Sequence, residues 1–418
     1  MEDDLDAFEA FVKIMVIGVG GGGSNAVNQM LDDKLKNIDF WVFNTDKQAL
    51  ATSKSPNRLV LGEQVTKGLG AGGDPRVGKQ AAEASKEQIK SIVTGYDMVF
   101  IAAGEGGGTG TGAAPVVAQI AREAGALTVA IVTRPFTFEG NARIRKATAG
   151  LEELKKNVDS IIIISNDRLM FVSGKSPLKE AFGQSDKVLA QAVKTITDLI
   201  LLPGLINLDF ADVRNTLKGK GLALIGFGEG KGKDKAKQAA TEAIASPLLE
   251  ASIKGAKSAI VNITGGTNVT LQEASDAVRY ITEVAGGDVN IIFGVQSNPQ
   301  YEDTMLVSVI ATDFDEKAVD EKMHDMSILT TRAGNAPENP SAPIAKEVSE
   351  VEKEDKTSPF GDDDSILPGF FRSMKEEKKA VERDEEKKEV VSEEHAQAKE
   401  EEPKTEQTSL DFTGGSEK

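Results

Sequence analysis

Two glycine-rich segments stand where the chain must turn out of an apolar run. The first, Gly18-Val19-Gly20-Gly21-Gly22-Gly23-Ser24-Asn25, follows Val12 to Gly18 and leads into an amphipathic stretch with Ala26, Val27 and Met30 on one side. The second, Gly104-Glu105-Gly106-Gly107-Gly108-Thr109-Gly110-Thr111-Gly112, follows Met98 to Ala102 and also opens a helical pattern. Glycine lets backbone N–H groups come close to a phosphate, and the N-terminus of the following helix adds partial positive charge. One such loop is a weak signal. Gly18, Gly20 and Gly23 also satisfy the G-x-G-x-x-G of dinucleotide-binding folds, and a tight structural turn needs glycine too. Two such loops at one sheet edge suit a triphosphate better. The sequence holds no G-x-x-x-x-G-K-S/T, so a P-loop lysine is absent. Anion binding then rests on backbone donors, hydroxyls such as that of Thr109, and a metal ion.

A dinucleotide enzyme places an acidic residue directly after its second strand to hold the ribose hydroxyls. Here that strand ends in Asn44-Thr45-Asp46, with Asn44 in the acidic residue's place. An NAD-dependent oxidoreductase is thereby weakened as a reading. Composition removes other classes. The 418 residues carry 49 Lys+Arg against 66 Asp+Glu, a formal net charge of -17, which repels nucleic acid and anionic membrane surfaces. Cysteine is absent, excluding disulfides, thiolate catalysis and Cys-based metal sites, and fitting a reducing cytoplasm. Only His324 and His395 could supply imidazole, and neither falls in a segment that reads as a catalytic core. The acidic start, Met1 to Phe11, does not resemble a signal peptide, and no apolar run approaches the roughly 20 residues of a membrane span.

The elements that must position these loops follow from periodicity. Short β-branched runs alternate with amphipathic stretches from Val12 to about Phe314, the pattern of an α/β fold with a largely parallel, Rossmann-like sheet. Val12 to Gly18, Phe40 to Phe43, Met98 to Ala102, Leu127 to Val132 and Ile161 to Ile164 read as buried strands of a first domain, 12–177. Pro75 to Val93, Ala113 to Ala124 and Asn141 to Lys156 read as its helices, with Pro75 and Pro115 near first-turn positions and Gly125 as a C-cap. A long central helix is expected over 178–203, since Phe182, Leu189, Val193, Ile196 and Ile200 share a face and Pro203-Gly204 stop it. A second, smaller α/β domain, 204–315, carries strands at Leu222 to Phe227, Ala259 to Ile263, Asn290 to Val295 and Leu306 to Ala311. Helices interleave near Lys233 to Ala245 and Thr270 to Ala285. From 331 to 418 the chain holds 24 acidic and 14 basic residues and is expected to be disordered. One apolar island, Ile366-Leu367-Pro368-Gly369-Phe370-Phe371-Arg372 within 364–374, reads as a peptide that docks in a partner's groove, against chance apolarity.

The run Gly106 to Gly112, Gly-Gly-Gly-Thr-Gly-Thr-Gly, resembles the signature of the tubulin superfamily, in particular its bacterial cell-division GTPases, the FtsZ family. The resemblance extends through Gly68 to Pro75, Phe138-Glu139-Gly140, Ser165-Asn166-Asp167 and Asn207 to Arg214. It implies a cytoplasmic GTPase, with magnesium, that forms head-to-tail homopolymers at the mid-cell division site. It implies phosphate binding by Gly21, Gly22, Gly23, Ser24 and Asn25 with Gly108, Thr109 and Gly110, and γ-phosphate sensing at Ala71 and Gly72. Glu139 and Arg143 would hold the ribose. Asn166 and Asp186 would hydrogen-bond guanine, a carboxylate selecting GTP over ATP, with Phe182 stacking on the base. Without the resemblance, Phe182 reads equally well as a core residue of its helix.

Asp209 and Asp212, with Asn207, would polarise the attacking water. By residue type alone the two aspartates read as caps of the next helix. If Phe182 and Asp186 touch the base, the sixteen residues from Asp186 to Leu202 span about 24 Å and put Asp209 on the far face of its own subunit. Hydrolysis then needs the acids of one subunit in the site of the next, a heterologous contact that builds an open filament. The tail island would bind division proteins that tether filaments to the membrane, although 46 residues follow it here. Glu105 stands where the family usually has an apolar residue, so Glu105→Met is expected to tighten GTP binding at low magnesium. A filament or adaptor that binds GTP without cleaving it is the remaining alternative.

Overall fold

The computed structural model describes residues 12–173, 177–249 and 251–314. These belong to one compact unit; a second, Phe371–Lys418, lies outside the described residues, as do the segment 331–418 and its docking island. In chain order the first half runs β1 (Ile14–Val19), α1 (Gly20–Asp32), β2 (Asp39–Asn44), α2 (Lys47–Ala51), β3 (Asn57–Val60), α3 (Glu63–Thr66), α4 (Pro75–Ala84) and α5 (Lys86–Val93). It continues with β4 (Met98–Gly104), α6 (Thr109–Glu123), β5 (Leu127–Arg134), α7 (Asn141–Asn157), β6 (Ser160–Ser165), α8 (Asn166–Ser173) and the long α9 (Leu178–Leu201). The second half is α10 (Phe210–Leu217), β7 (Gly221–Lys231), α11 (Lys235–Ile244), β8 (Ser258–Gly265), α12 (Leu271–Ala285), β9 (Asn290–Ser297) and β10 (Thr304–Thr312).

The strands form one ten-stranded sheet in the order β3-β2-β1-β4-β5-β6-β7-β10-β8-β9. From β3 to β7 all pairs are parallel, and β1, β4 and β5 are apolar runs buried along nearly their whole length, as strands covered by helices on both faces must be. The two halves meet where Ser160–Ile162 of β6 pairs with Gly221–Ala223 of β7. Beyond that point the sheet is mixed, because β10 runs antiparallel to both β7 and β8 while β9 pairs parallel with β8. Strand order reverses between β1, which leads outward to β2, and β4, which leads to β5. The loops after these two strands therefore diverge and leave a crevice at their carboxyl ends, the place where open α/β sheets bind ligands.

Several elements depart from the expectation for physical reasons. The stretch Pro75 to Val93 is two helices, broken at Ser85, whose Oγ accepts the Gly62 N–H at 2.9 Å and whose φ of -103° and ψ of 12° leave the helical region. Helix α6 begins four residues before Ala113, so Pro115 lies inside it rather than in its first turn. Asp74 caps α4 by accepting from Arg76 N–H, with Pro75 in the first turn, and Gly125 follows α6 with φ of +94°. The early part of α6 is glycine-rich because α4 crosses it closely. A Cβ at Gly112 would lie 1.9 Å from Pro75 O and 2.8 Å from Lys79 N, both backbone atoms. Gly112→Ala is therefore expected to lower unfolding stability by about 3 kcal/mol, read as a drop in denaturant midpoint at unchanged slope. An unchanged midpoint would show that the two helices separate freely.

Candidate functional site

A cavity of about 290 Å³ occupies the crevice at the carboxyl ends of β1, β4, β5 and β6. Residues directly after each strand reach it: Gly21 and Gly22 after β1, Glu105 to Gly108 after β4 with the exception of Gly106, Pro135 after β5 and Asn166 after β6. Helices α1 and α6 both start at this cavity and neither has a side-chain N-cap, so their first-turn N–H groups are left for a ligand. Thr109 Oγ1 shares a 2.7 Å hydrogen bond with Thr45 Oγ1, tying the end of β2 to the start of α6.

Of the nucleotide-binding residues expected from sequence, Gly21, Gly22, Asn25, Gly108, Thr109, Gly110, Glu139, Arg143, Asn166, Phe182 and Asp186 line this one cavity. Gly23, Ser24, Ala71 and Gly72 do not. Gly23 is a packing residue, since a Cβ there would sit 2.2 Å from Ala102 O on β4. Ser24 is buried and its hydroxyl donates to Gly20 O at 2.7 Å, inside α1. Ala71 lies one layer back, where a Cβ on Gly108 would be 2.9 Å from its own Cβ. Gly72 borders a larger groove of about 760 Å³ between α4, α6 and α7, whose rim charges include the exposed Arg76–Asp74 pair.

At the other end of the cavity, Glu139 accepts from Phe136 N–H at 2.9 Å and pairs with Arg143 at 3.1 Å, which fixes both side chains beside the opening. Phe182 is 39% exposed and meets Phe136 edge-on at a centroid distance of 5.1 Å, so it is not a core residue of α9. Asn166 and Ser185 are buried against one another, with Asp186 on the next position of α9. Burial pushes the Asp186 carboxyl up to about 7. Gly104 and Gly107 of the second glycine-rich segment also line the cavity, as do Thr133, Pro135, Ser185 and Leu189, which the sequence did not point to as site residues. For Thr133 and Pro135 the available signal was their place at the carboxyl end of a buried strand.

Asn207, Asp209 and Asp212 do not line the cavity. They follow the opposite end of α9, which rises about 22 Å over the fifteen steps from Asp186 to Leu201, and all three are exposed. Asn207 Oδ1 accepts from Gly204 N–H, and Asp209 caps α10 by accepting from Asp212 N–H at 2.8 Å. The capping reading of Asp209 thus holds, while the Asp212 carboxylate makes no hydrogen bond or ion pair among the described residues. Asn44 and Asp46 do not fit a ribose clamp either: Asp46 caps α2 through Gln48 and Ala49 N–H, and neither residue lines the cavity.

Among the described residues no group of three His, Cys, Asp or Glu side chains is arranged to hold a metal ion. The only carboxylate in the phosphate loop, Glu105, is 2% exposed and therefore not presented to a cation. A magnesium ion would enter with the triphosphate, held mainly by phosphate oxygens and water, as is usual for that ion. Among the described residues no helix is long and apolar enough to cross a membrane.

Residues 13–174 match the Tubulin/FtsZ family GTPase domain, and residues 221–315 match the FtsZ family C-terminal domain. The chain is similar to a solved FtsZ dimer of M. jannaschii, at 41% identity and a TM-score of 0.70 over 74% of this chain and 91% of that one. CetZ1 of Haloferax volcanii, solved as a GDP-bound monomer, shares the fold at 20% identity and a TM-score of 0.66, over 77% of this chain and 100% of its own. CetZ2 of the same organism, solved as a GTPγS-bound protofilament, does so at 21% identity and a TM-score of 0.62, over 78% of this chain and 100% of its own.

Proposed function

The chain belongs to the tubulin/FtsZ family, and from that premise we propose that it is a polymerising GTPase whose subunits complete one another's active sites. The observation that carries this reading is the separation within one chain. The cavity with two uncapped helix N-termini and the exposed Asp212 lie at opposite ends of α9. In a head-to-tail pair, Asn207, Asp209 and Asp212 of one subunit face the triphosphate bound by the next. There Asp212 accepts a proton from the attacking water, Asn207 and Asp209 orient that water, and the N–H groups of α1 and α6 neutralise charge on the phosphates. The oxygen of water bonds to the γ-phosphorus as the bond to the β–γ bridging oxygen breaks, giving GDP and phosphate. Because the contact is heterologous, it propagates as an open filament.

The base site supports guanine. Asn166, Phe182 and Asp186 line the same cavity as Glu139 and Arg143, which supports a guanine held by the first three with its ribose beside the last two. By the same reading the polymer is a cytokinetic ring in the cytoplasm at mid-cell, turned over by GTP hydrolysis, with magnesium as cofactor. Its tail island, Ile366 to Arg372, docks division proteins that tether it to the membrane.

Two measurements test this. GTP is expected to stabilise the fold by RT ln(1 + [L]/Kd) and so raise the thermal midpoint, where ATP and NAD at equal concentration do not; protection by NAD alone would overturn the reading of the cavity as a guanine-nucleotide site. Phosphate release per molecule is expected to be negligible below a threshold protein concentration and to rise steeply above it. Release that is absent at every concentration would make the chain a GTP-binding filament protein without turnover.

A further inference from the structure

We propose that Thr45, which lies outside the cavity, is a positioning residue for phosphate binding: its hydroxyl holds the Thr109 side chain and ties the start of α6 to the segment 66–74 behind the phosphate loop. This rests on the reading of the cavity as a nucleotide site with the phosphates at its glycine loops. Thr45 directly follows β2 and is fully buried. Its Oγ1 shares the 2.7 Å hydrogen bond with Thr109 Oγ1, and Thr109, the first residue of α6, lines the cavity as Thr45 does not. The Thr45 carbonyl accepts from Gly70 N–H at 3.1 Å and from Thr66 Oγ1 at 3.3 Å. From Gly70 the chain passes behind Gly108, where a Cβ would lie 2.9 Å from Ala71 Cβ and 3.1 Å from Gly73 N. The segment 66–74 therefore meets two successive cavity residues, Gly108 by direct packing and Thr109 by way of Thr45.

A threonine at the first position of a helix has no preceding turn to confine its χ1, so something else must choose its rotamer. The bond to Thr45 chooses the one in which Oγ1 meets the end of β2. That holds whichever of the two hydroxyls donates, since each can do either. A phosphate oxygen only accepts, so a Thr109 hydroxyl that donates to it has its own oxygen free to accept from Thr45. Valine at position 45 keeps the shape of the side chain and loses the tie, leaving Thr109 to rotate; serine keeps the tie.

The test is a double-mutant cycle on the full chain, read as affinity for GDP, which avoids turnover, with guanosine as the reference that lacks phosphate. Thr45→Val is expected to weaken GDP about fivefold and to change guanosine affinity by less than about twofold, whereas Thr45→Ser stays within about twofold of wild type for both. Thr109→Ala weakens GDP by about fivefold or more, and adding Thr45→Val to it costs less than about twofold further, because the tie then has nothing to hold. A merely structural role of Thr45 would give the same loss in both backgrounds and would extend to guanosine. Thr45→Ala carries the same cycle if the valine variant does not fold. Equal losses in the two backgrounds, or GDP affinity unmoved by removal of the Thr45 hydroxyl, overturns the role of Thr45 and leaves the site reading standing. Wild type that binds guanosine as tightly as GDP overturns the placing of the phosphates and this proposal together.

Discussion

Asp212→Ala is expected to lower GTP turnover by about 100-fold or more while leaving nucleotide affinity and fold stability unchanged, the range lost when a positioned proton acceptor is removed. The separation of effects follows from the structure. The Asp212 side chain is exposed and lines no part of the cavity, and the bonds the residue contributes are of its backbone, the N–H donating to Asp209 and the carbonyl accepting from Thr216 Oγ1, both of which survive the substitution. Asp209→Ala should behave differently, because losing the cap of α10 costs about 1 kcal/mol of stability besides activity. Mixing distinguishes catalysis between subunits from catalysis within one. Asp212→Ala retains a nucleotide site but lacks the acid; Asp186→Ala retains the acid but binds guanine poorly. At GTP concentrations that saturate only the former, each alone is inactive. An equimolar mixture should recover activity on the order of a quarter of wild type, since about one interface in four pairs a competent site with a competent acid in the productive direction. A mixture as silent as its components would place the acids and the phosphates in the same subunit.

The parts of this arrangement that sequence could reveal are those set by local pattern. The strand, glycine loop and helix successions at Gly18 to Asn25 and Gly104 to Gly112 are short-range signals, and both loops border the cavity. The long helix was legible from its apolar stripe and its Pro203-Gly204 stop, and it runs from Leu178 to Leu201. What sequence did not show depends on contacts between distant segments. Strand β3, four residues long and only partly buried, has no apolar run of its own and forms by pairing with β2. The break at Ser85 interrupts a continuous helical periodicity because Gly62, far away in the chain, needs an acceptor. Nothing local announces that β10 inserts antiparallel between β7 and β8. Residue types likewise could not separate glycines that border the ligand cavity, such as Gly21 and Gly22, from Gly23, which lets α1 approach β4. Ser185 carries no motif at all, and its place at the cavity comes with its meeting Asn166 across 19 positions.

Replacing Glu105 is expected to change the pH dependence of stability. The carboxyl group is 2% exposed, neither oxygen has a hydrogen-bond partner, and Oε2 is pressed against α7, where a Cβ on Gly150 would lie 2.6 Å from it. Burial pushes Glu105 from 4.5 up to about 7, and the neighbouring Thr111 hydroxyl, itself accepting from Gly106 N–H at 2.7 Å, offsets only part of that. With the folded pKa above the unfolded one, the folded chain holds the extra proton between these values, so stability falls as pH rises from about 4.5 to about 7 and levels off above. The loss on ionising is about 3 kcal/mol in total. Glu105→Gln cannot ionise and should remove that decline, giving a variant about 2.5 kcal/mol more stable relative to wild type at pH 8 than at pH 5. Asp186 is also raised to about 7 by burial and titrates in the same window, so the informative quantity is the difference between wild type and Glu105→Gln in denaturant midpoints at the two pH values. Parallel curves would mean that the carboxylate reaches water or a cation when it ionises. The same geometry limits the gain in GTP affinity expected of Glu105→Met. Near pH 7 the native carboxyl is about half neutral and turned toward α7, so the variant should bind GTP only slightly more tightly below that pH. The advantage should widen above pH 7, where wild type must hold a second uncompensated negative charge behind the loop that cradles the triphosphate.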